Sequence, residues 1–379
     1  MNYLALCCIA KDEDPFLKEW IAYHSLLGVE HFYIYDNCSR IPIRQTLGSY
    51  VDDARVTIRR IQGKAMQIPA YNDCLESFGG RNLWIGFIDL DEFALPMRDN
   101  DLRVLLSEFE EYGGLAATWH LVGSSGHLKR PEGPVVKNYT QSFAVQESFH
   151  IKSFAQPAKT LHALNPHYCG YKPGHYCVNE NHYPVSPRSQ ATFAAGNLVR
   201  VNHYFLRSQQ DFEEKLVRGS ATNASPDAQL DMTMFYEGSA RTWADDTEIH
   251  RFLPPLLKAM QKKQLPPVFP RLPFDAPYED LLETAMNFFD AGQLEKALAV
   301  TCRGVLAHGD SADLWTLRSM IALAAGSVGR ADVFIRRSIS LESTETGYTQ
   351  LAKVLKAMGQ DEQAGHVQTL MRRCPKYFT

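Results

Sequence analysis

Along the first hundred residues the apolar positions follow two alternating patterns. The unbroken apolar run at residues 3–10, the stretch "VEHFYIYDN" at 29–37 and the stretch "ARVTIRRI" at 54–61 read as strands. "NLWIGFIDLDEF" (82–93) reads as one further continuous strand. Between the first two, Phe16, Trp20, Tyr23 and Leu27 recur at spacings of three and four, which is one face of a helix. Asp14 is placed to cap it, Pro15 to begin it and Gly28 to end it. "AMQIPAYNDCLESFGG" (65–80) predicts a second helix. Strands alternating with helices predict an α/β domain with a mostly parallel sheet and crossover helices.

From about Gly113 the pattern changes. "GLAATWHLVGSSGH" reads as a strand and a Gly/Ser loop, followed by a loop-rich stretch holding His150, His162, His167, His175, His182 and His203. "SQQDFEEKLVRG" reads as a helix with Gly219 past its end. Residues 264–277 are dense in proline and read as a boundary. Beyond it, "FFDAGQLEKALAV", "ALAAGSVGRADVF" and "LKAMGQDEQAGHV" superpose without gaps. Gly292, Gly326 and Gly359 coincide, as do Ala297, Ala331 and Ala364, at spacings of 34 and 33 residues. That period, with a mid-repeat glycine, resembles the tetratricopeptide (TPR) pattern of one helix-turn-helix per repeat. The expected layout is an α/β domain at 1–220, a helical and Pro-rich connection at 221–277, and an all-α repeat domain at 278–379.

Composition narrows the class. A net charge of -4 and the lack of any dense Lys/Arg run argue against a nucleic-acid partner. The eight cysteines are scattered with no CxxC pair, so neither a zinc site nor a disulfide framework is expected. No basic leader precedes the first strand, and no run of about 18 apolar residues predicts a membrane span. The expectation is a cytoplasmic protein, soluble or peripheral at the inner face of a membrane.

Ligands of such sheets bind at the carboxyl ends of the strands. The residues there are Lys11 and Glu13, then Asp36, Asn37 and Ser39, then Asp89 and Asp91. On a continuous strand Asp89 and Asp91 share a face. Two neighbouring carboxylates stay charged together only with a cation between them. Mn²⁺ or Mg²⁺, which take oxygen ligands including phosphate oxygens, suit the pair. The competing reading is a helix N-cap followed by solvated acids.

"KDEDPFLKEWIAYHSLLGVEHFYIYDNCS", "FIDLDEF", "WHLVGSSGH" and "VNHYFLRSQQDFEEKLVRG", in that order, resemble the GT-A glycosyltransferases related to families 2 and 92, over residues 3–220. The resemblance implies transfer of a sugar from a nucleotide-diphosphate donor, such as a UDP-sugar, to a hydroxyl, with inversion. The acceptor would be a glycan, a lipid-linked sugar or a protein. By the same resemblance Lys11, Glu13, Asp36 and Asn37 hold base and ribose, and Gln67 and Asn72 touch the nucleotide sugar. Asp89, Asp91 and His203 bind the metal. Lys159, or else Lys152, and Arg218 neutralise the leaving diphosphate, while Trp119, Ser125 and His127 face the acceptor. An inverting enzyme needs a general base, for which His127 and Glu180 are the candidates. Other roles stay open for these residues: a turn at Asp36 and Asn37, a helix surface for Gln67 and Asn72, core packing for Trp119, a helix-dipole contact for Arg218. The repeats would bind a protein partner or a second copy of the chain. Two further readings compete: a TPR-based binding protein carrying an inactive transferase domain, and another nucleotide-diphosphate enzyme.

Overall fold

A computed structural model describes residues 1–98, 100–143, 150–185, 196–219, 231–262, 265–266, 277–308 and 311–373; the side chains of 52, 295, 299, 302–303 and 306–308 are left aside. The proline-rich boundary thus lies largely outside the described residues. The chain forms two compact units, Met1–Val268 and Phe269–Thr379.

The first unit opens with β1 (Asn2–Ala10), α1 (Asp14–Leu26), β2 (His31–Asp36), α2 (Ile43–Leu47), β3 (Val56–Arg60), α3 (Gln67–Phe78) and β4 (Asn82–Phe87). Next come β5 (Glu92–Pro96), α4 (Leu102–Leu106), β6 (Gly114–Leu121), α5 (Val135–Asn138), β7 (Gln141–Phe143) and β8 (Ile151–Ala155). It continues with β9 (Thr160–Ala163), β10 (Cys169–Tyr171), β11 (Cys177–Val178), β12 (Val199–His203) and α6 (Gln209–Arg218). It closes with α7 (Met232–Arg241), β13 (Thr242–Asp245) and α8 (Leu253–Lys262).

Among the described residues the main sheet runs β3-β2-β1-β4-β8-β6-β12-β5, with β11 beside β6. The four strands from β3 to β4 are parallel, as the alternation predicts. β8 then runs antiparallel to both β4 and β6, and β5 runs antiparallel to β12. The architecture is α/β with a mixed sheet, followed by helices. One face of β1, β2 and β4 packs Cys7, Ile9, Tyr33 and Ile85 against Tyr71, Cys74 and Phe78 of α3. On α1, Trp20 sits edge-on to Phe32 at 5.7 Å. Residues 231–262, read from sequence as part of a connection, belong to the first unit: β13 pairs with β7 and α8 packs on α1.

One reading is corrected. Residues 82–93 are not one strand: β4 stops at Phe87, residues 88–91 turn, and β5 departs to pair with β12. The alternation rule for a shared face therefore does not apply to Asp89 and Asp91.

The second unit contains α9 (Tyr278–Asp290), α10 (Leu294–His308), α11 (Ala312–Ala324), α12 (Val328–Leu341), α13 (Glu345–Ala357) and α14 (Asp361–Arg373). They pack as three consecutive hairpins, α9 on α10, α11 on α12, α13 on α14. Gly292, Gly326 and Gly359 sit in the three tight turns with φ of +69°, +75° and +73°, a conformation that costs a Cβ-bearing residue energy. Ala297, Ala331 and Ala364 are fully buried, so a small side chain lets paired helices approach. No described helix is long and apolar enough to cross a membrane.

Candidate active site at the carboxyl edge of the sheet

The turn at 88–91 is held from all sides. Ile88 donates its N–H to Cys7, and Glu92 donates to the Asp89 carbonyl. Trp20 Nε1 of α1 donates to the carbonyls of Asp89 (3.1 Å) and Glu92 (2.9 Å). Arg207 donates to Leu90 O (3.1 Å), and Tyr204 N–H to Asp91 O (2.7 Å). With its carbonyls taken, the turn fixes the directions in which its acids project.

Asp89 points toward α3 and β8. Its Oδ1 accepts from Gln67 Nε2 (2.7 Å) and the Tyr71 hydroxyl (2.9 Å), and its Oδ2 from Lys152 Nζ (2.7 Å). Lys152 is wholly buried and also stands 3.2 Å from Glu92. Although burial alone would lower it, Asp89 and Glu92 hold the Lys152 pKa above its ordinary value. Glu92 behaves oppositely. Burial, then the neighbouring Asp89 and Asp91, push its carboxyl up to about 8 against the pull of Lys152.

Asp91 points into a shallow, solvent-open cleft lined by Glu13, Phe16, Asp91, Arg207, Lys215 and Arg218, among others. Its Oδ2 accepts from Lys215 Nζ at 2.7 Å and lies 3.6 Å from His203 Nε2. Burial opposes its charge, but Lys215 and His203 outweigh it and hold the Asp91 pKa well below the carboxylate range. Glu13 across the cleft lies 3.4 Å from Arg218 and 3.7 Å from Arg207.

His203 is buried, and burial lowers its pKa below the ordinary imidazole value although Asp91 beside it pulls the other way. It packs 4.1 Å from Trp119, on which His150 stacks at 5.1 Å and His167 sits edge-on at 4.9 Å. Asp91 Oδ2 and His203 Nε2, 3.6 Å apart beside the cleft, are an oxygen and a nitrogen of the kinds a divalent cation takes as donors. Among the described residues no three acids, histidines or cysteines stand together as a ready ligand set. Asp89 is already satisfied by three side-chain donors.

The residues expected from sequence divide in two. Gln67 and Asp89 come together with Lys152; Glu13, Asp91 and Arg218 meet on the cleft; His203 and Trp119 stand beside them. Others are held in structural bonds. Asp36 accepts from the backbone N–H groups of Ser39 (2.8 Å) and Ile43 (3.3 Å), forming the turn into α2. Asn72 accepts from Ala163 N (2.7 Å), tying β9 to α3. Lys159 donates to the carbonyls of Glu110, Glu111 and Tyr112. Ser125 accepts from Thr140 and Gln141, and His127 Nε2 meets the carbonyl of Asn138 at 3.1 Å, which places the proton on that nitrogen. Both oxygens of Glu180 are taken by the backbone N–H groups of Gly196, Asn197, Leu198 and Val199. Lys11 is half-buried and Asn37 buried at the ends of β1 and β2. Sequence reasoning missed Lys215 and Arg207 and ranked Lys152 second. The signal for Lys215 was its spacing of three from Arg218, one helix face following directly on His203.

A cation-edged acidic turn thus lies at the strand ends of a mixed α/β sheet, the edge at which open α/β sheets take their ligands. This chain belongs to glycosyltransferase family 92, whose family model matches residues 4–228. It is 28% identical over 224 residues to a family 92 protein of Oryza sativa subsp. japonica, covering 58% of this chain and 36% of that one. A family 92 protein of Ricinus communis is 29% identical over 226 residues, covering 58% and 38%. The chain thus spans little more than a third of the length of these curated relatives. A galactan beta-1,4-galactosyltransferase of Arabidopsis thaliana is 29% identical over 103 residues, 24% of this chain and 21% of that one. A crystal structure of S. aureus TarS 1–349 aligns over 89% of this chain and 91% of that chain, at 11% identity and a TM-score of 0.32.

Proposed function

We propose that this chain is a metal-dependent glycosyltransferase that moves a sugar from a nucleotide-diphosphate donor, a UDP-sugar, to a hydroxyl acceptor. Membership of family 92 supports the reaction class. The observation that carries the site is Asp91 on a cleft lined by Lys215, Arg130, Arg207 and Arg218 together with Asp12, Glu13, Asp211 and Glu214, whose cations suit a charged diphosphate. Asp91 and His203, with Asp89 across the turn, would hold Mn²⁺ or Mg²⁺. Two or three protein donors leave room for substrate phosphates, as such ions require. When bound, the cation supplies positive charge opposite the leaving diphosphate. The lysine and arginines of the cleft add fixed charge to the same group. Inversion is the outcome favoured by the resemblance to the GT-A glycosyltransferases related to families 2 and 92. The name of the Arabidopsis relative makes galactose the first sugar to try, and the helical hairpins are assigned to docking a partner or acceptor protein.

Calorimetry and donor hydrolysis test this reading. UDP is expected to bind in the presence of Mn²⁺ and far more weakly in EDTA. Asp91→Asn should lower UDP-sugar turnover on the order of a hundredfold to a thousandfold. Equal UDP affinity with and without metal, or an unimpaired Asp91→Asn, would overturn it.

A further inference from the structure

Lys215 sits one turn from the end of α6, the helix that Ser208 and Asp211 begin with a reciprocal pair of hydrogen bonds. Its ammonium reaches Asp91 Oδ2 at 2.7 Å and the Phe205 carbonyl at 3.3 Å, and lies 4.1 Å over the Phe205 ring. The side chain is 19% exposed, so it borders the cleft rather than being sealed under it. Arg207 is fixed differently. It is buried, donates to Leu90 O and covers the Phe16 ring at 3.6 Å, so its planar guanidinium is committed to the turn. Lys215 is a point charge on a flexible four-carbon stem and can be re-aimed.

An ammonium and a divalent cation compete for one carboxylate oxygen, because like charges at that spacing repel. A lysine displaced from Asp91 with no new anion to receive it gives up a charged hydrogen bond at 2.7 Å and keeps only weaker contacts such as the Phe205 carbonyl and ring, which is costly. A diphosphate removes that cost by accepting the ammonium. Resting on the reading of the cleft as a metal–diphosphate site, we propose that Lys215 is a resident counter-ion. It holds Asp91 until a nucleotide diphosphate draws it away, so that the divalent cation and the nucleotide bind together rather than one after the other. The coupling is reciprocal: the factor by which UDP tightens Mn²⁺ equals the factor by which Mn²⁺ tightens UDP.

The test uses the full chain as wild type, Lys215→Met and Lys215→Arg. Mn²⁺ binding without nucleotide is read by the electron paramagnetic resonance of free Mn²⁺, and UDP binding by calorimetry with and without Mn²⁺. Lys215→Met should bind Mn²⁺ alone about tenfold tighter than wild type, the worth of one charged hydrogen bond. The Mn²⁺–UDP coupling factor should fall by a similar amount. Lys215→Arg, which keeps the charge, should keep both wild-type values and guards against a misfolded methionine variant. If wild type binds UDP with Mn²⁺ but Lys215→Met binds Mn²⁺ alone no tighter, the counter-ion role is overturned while the donor site stands. If wild type binds UDP neither with nor without Mn²⁺, both fall.

Discussion

At the residue scale, burial decides the charge states around the turn. His24 of α1 is an example outside the cleft. It is fully buried, accepts the Ala94 N–H at Nε2 (3.2 Å), and therefore carries its proton on Nδ1, which faces Trp20 O at 2.8 Å. Burial lowers its pKa from 6.5 to about 3. The folded state thus binds fewer protons than the unfolded state between those values, so stability is intact above pH 6.5 and falls as pH drops toward 3. From pH 7 to pH 5 the contribution lost is on the order of 2 kcal/mol. His24→Gln should show a correspondingly smaller difference between urea melts at pH 7 and pH 5. Residue chemistry was only partly legible in sequence. Asp89 and Asp91 announced themselves by ending an apolar run. Lys215 did not, because its partner lies 124 positions away and only the folded sheet brings them together.

At the scale of elements, local signals located β1, α1, β2, β3, α3 and β4. Each carries its own period, and turns or glycines separate them. The break after Phe87 was illegible. Phe93, Ala94 and Leu95 resume the apolar pattern straight after the acids, and nothing nearby states that β5 will find β12, more than a hundred residues away. Glu180 is a similar case. A lone acid in a histidine-rich loop invited a chemical reading, yet its carboxylate gathers four backbone N–H groups at 196–199, where the chain enters β12. A glutamine there would set an NH₂ against two of those donors. Glu180→Gln should therefore lower stability on the order of 3 kcal/mol, seen as a reduced denaturation midpoint. A base would instead lose turnover with its midpoint unchanged.

At the scale of the whole molecule, the site residues all belong to the first unit, which has its own sheet, core and covering helices. Residues 1–268 expressed alone should fold cooperatively and bind UDP with Mn²⁺ within about twofold of the full chain. A larger loss, measured by the same calorimetry, would show that the helical unit contributes to the donor site. The glycines of that second unit carry a different consequence. Every tight turn closes with the same backbone twist, and every pair repeats the same small-residue contact after 33 or 34 positions. A duplicated segment spliced in at one of these turns would meet matching neighbours on either side. The array can therefore lengthen or shorten by whole modules during evolution without redesign of any single helix.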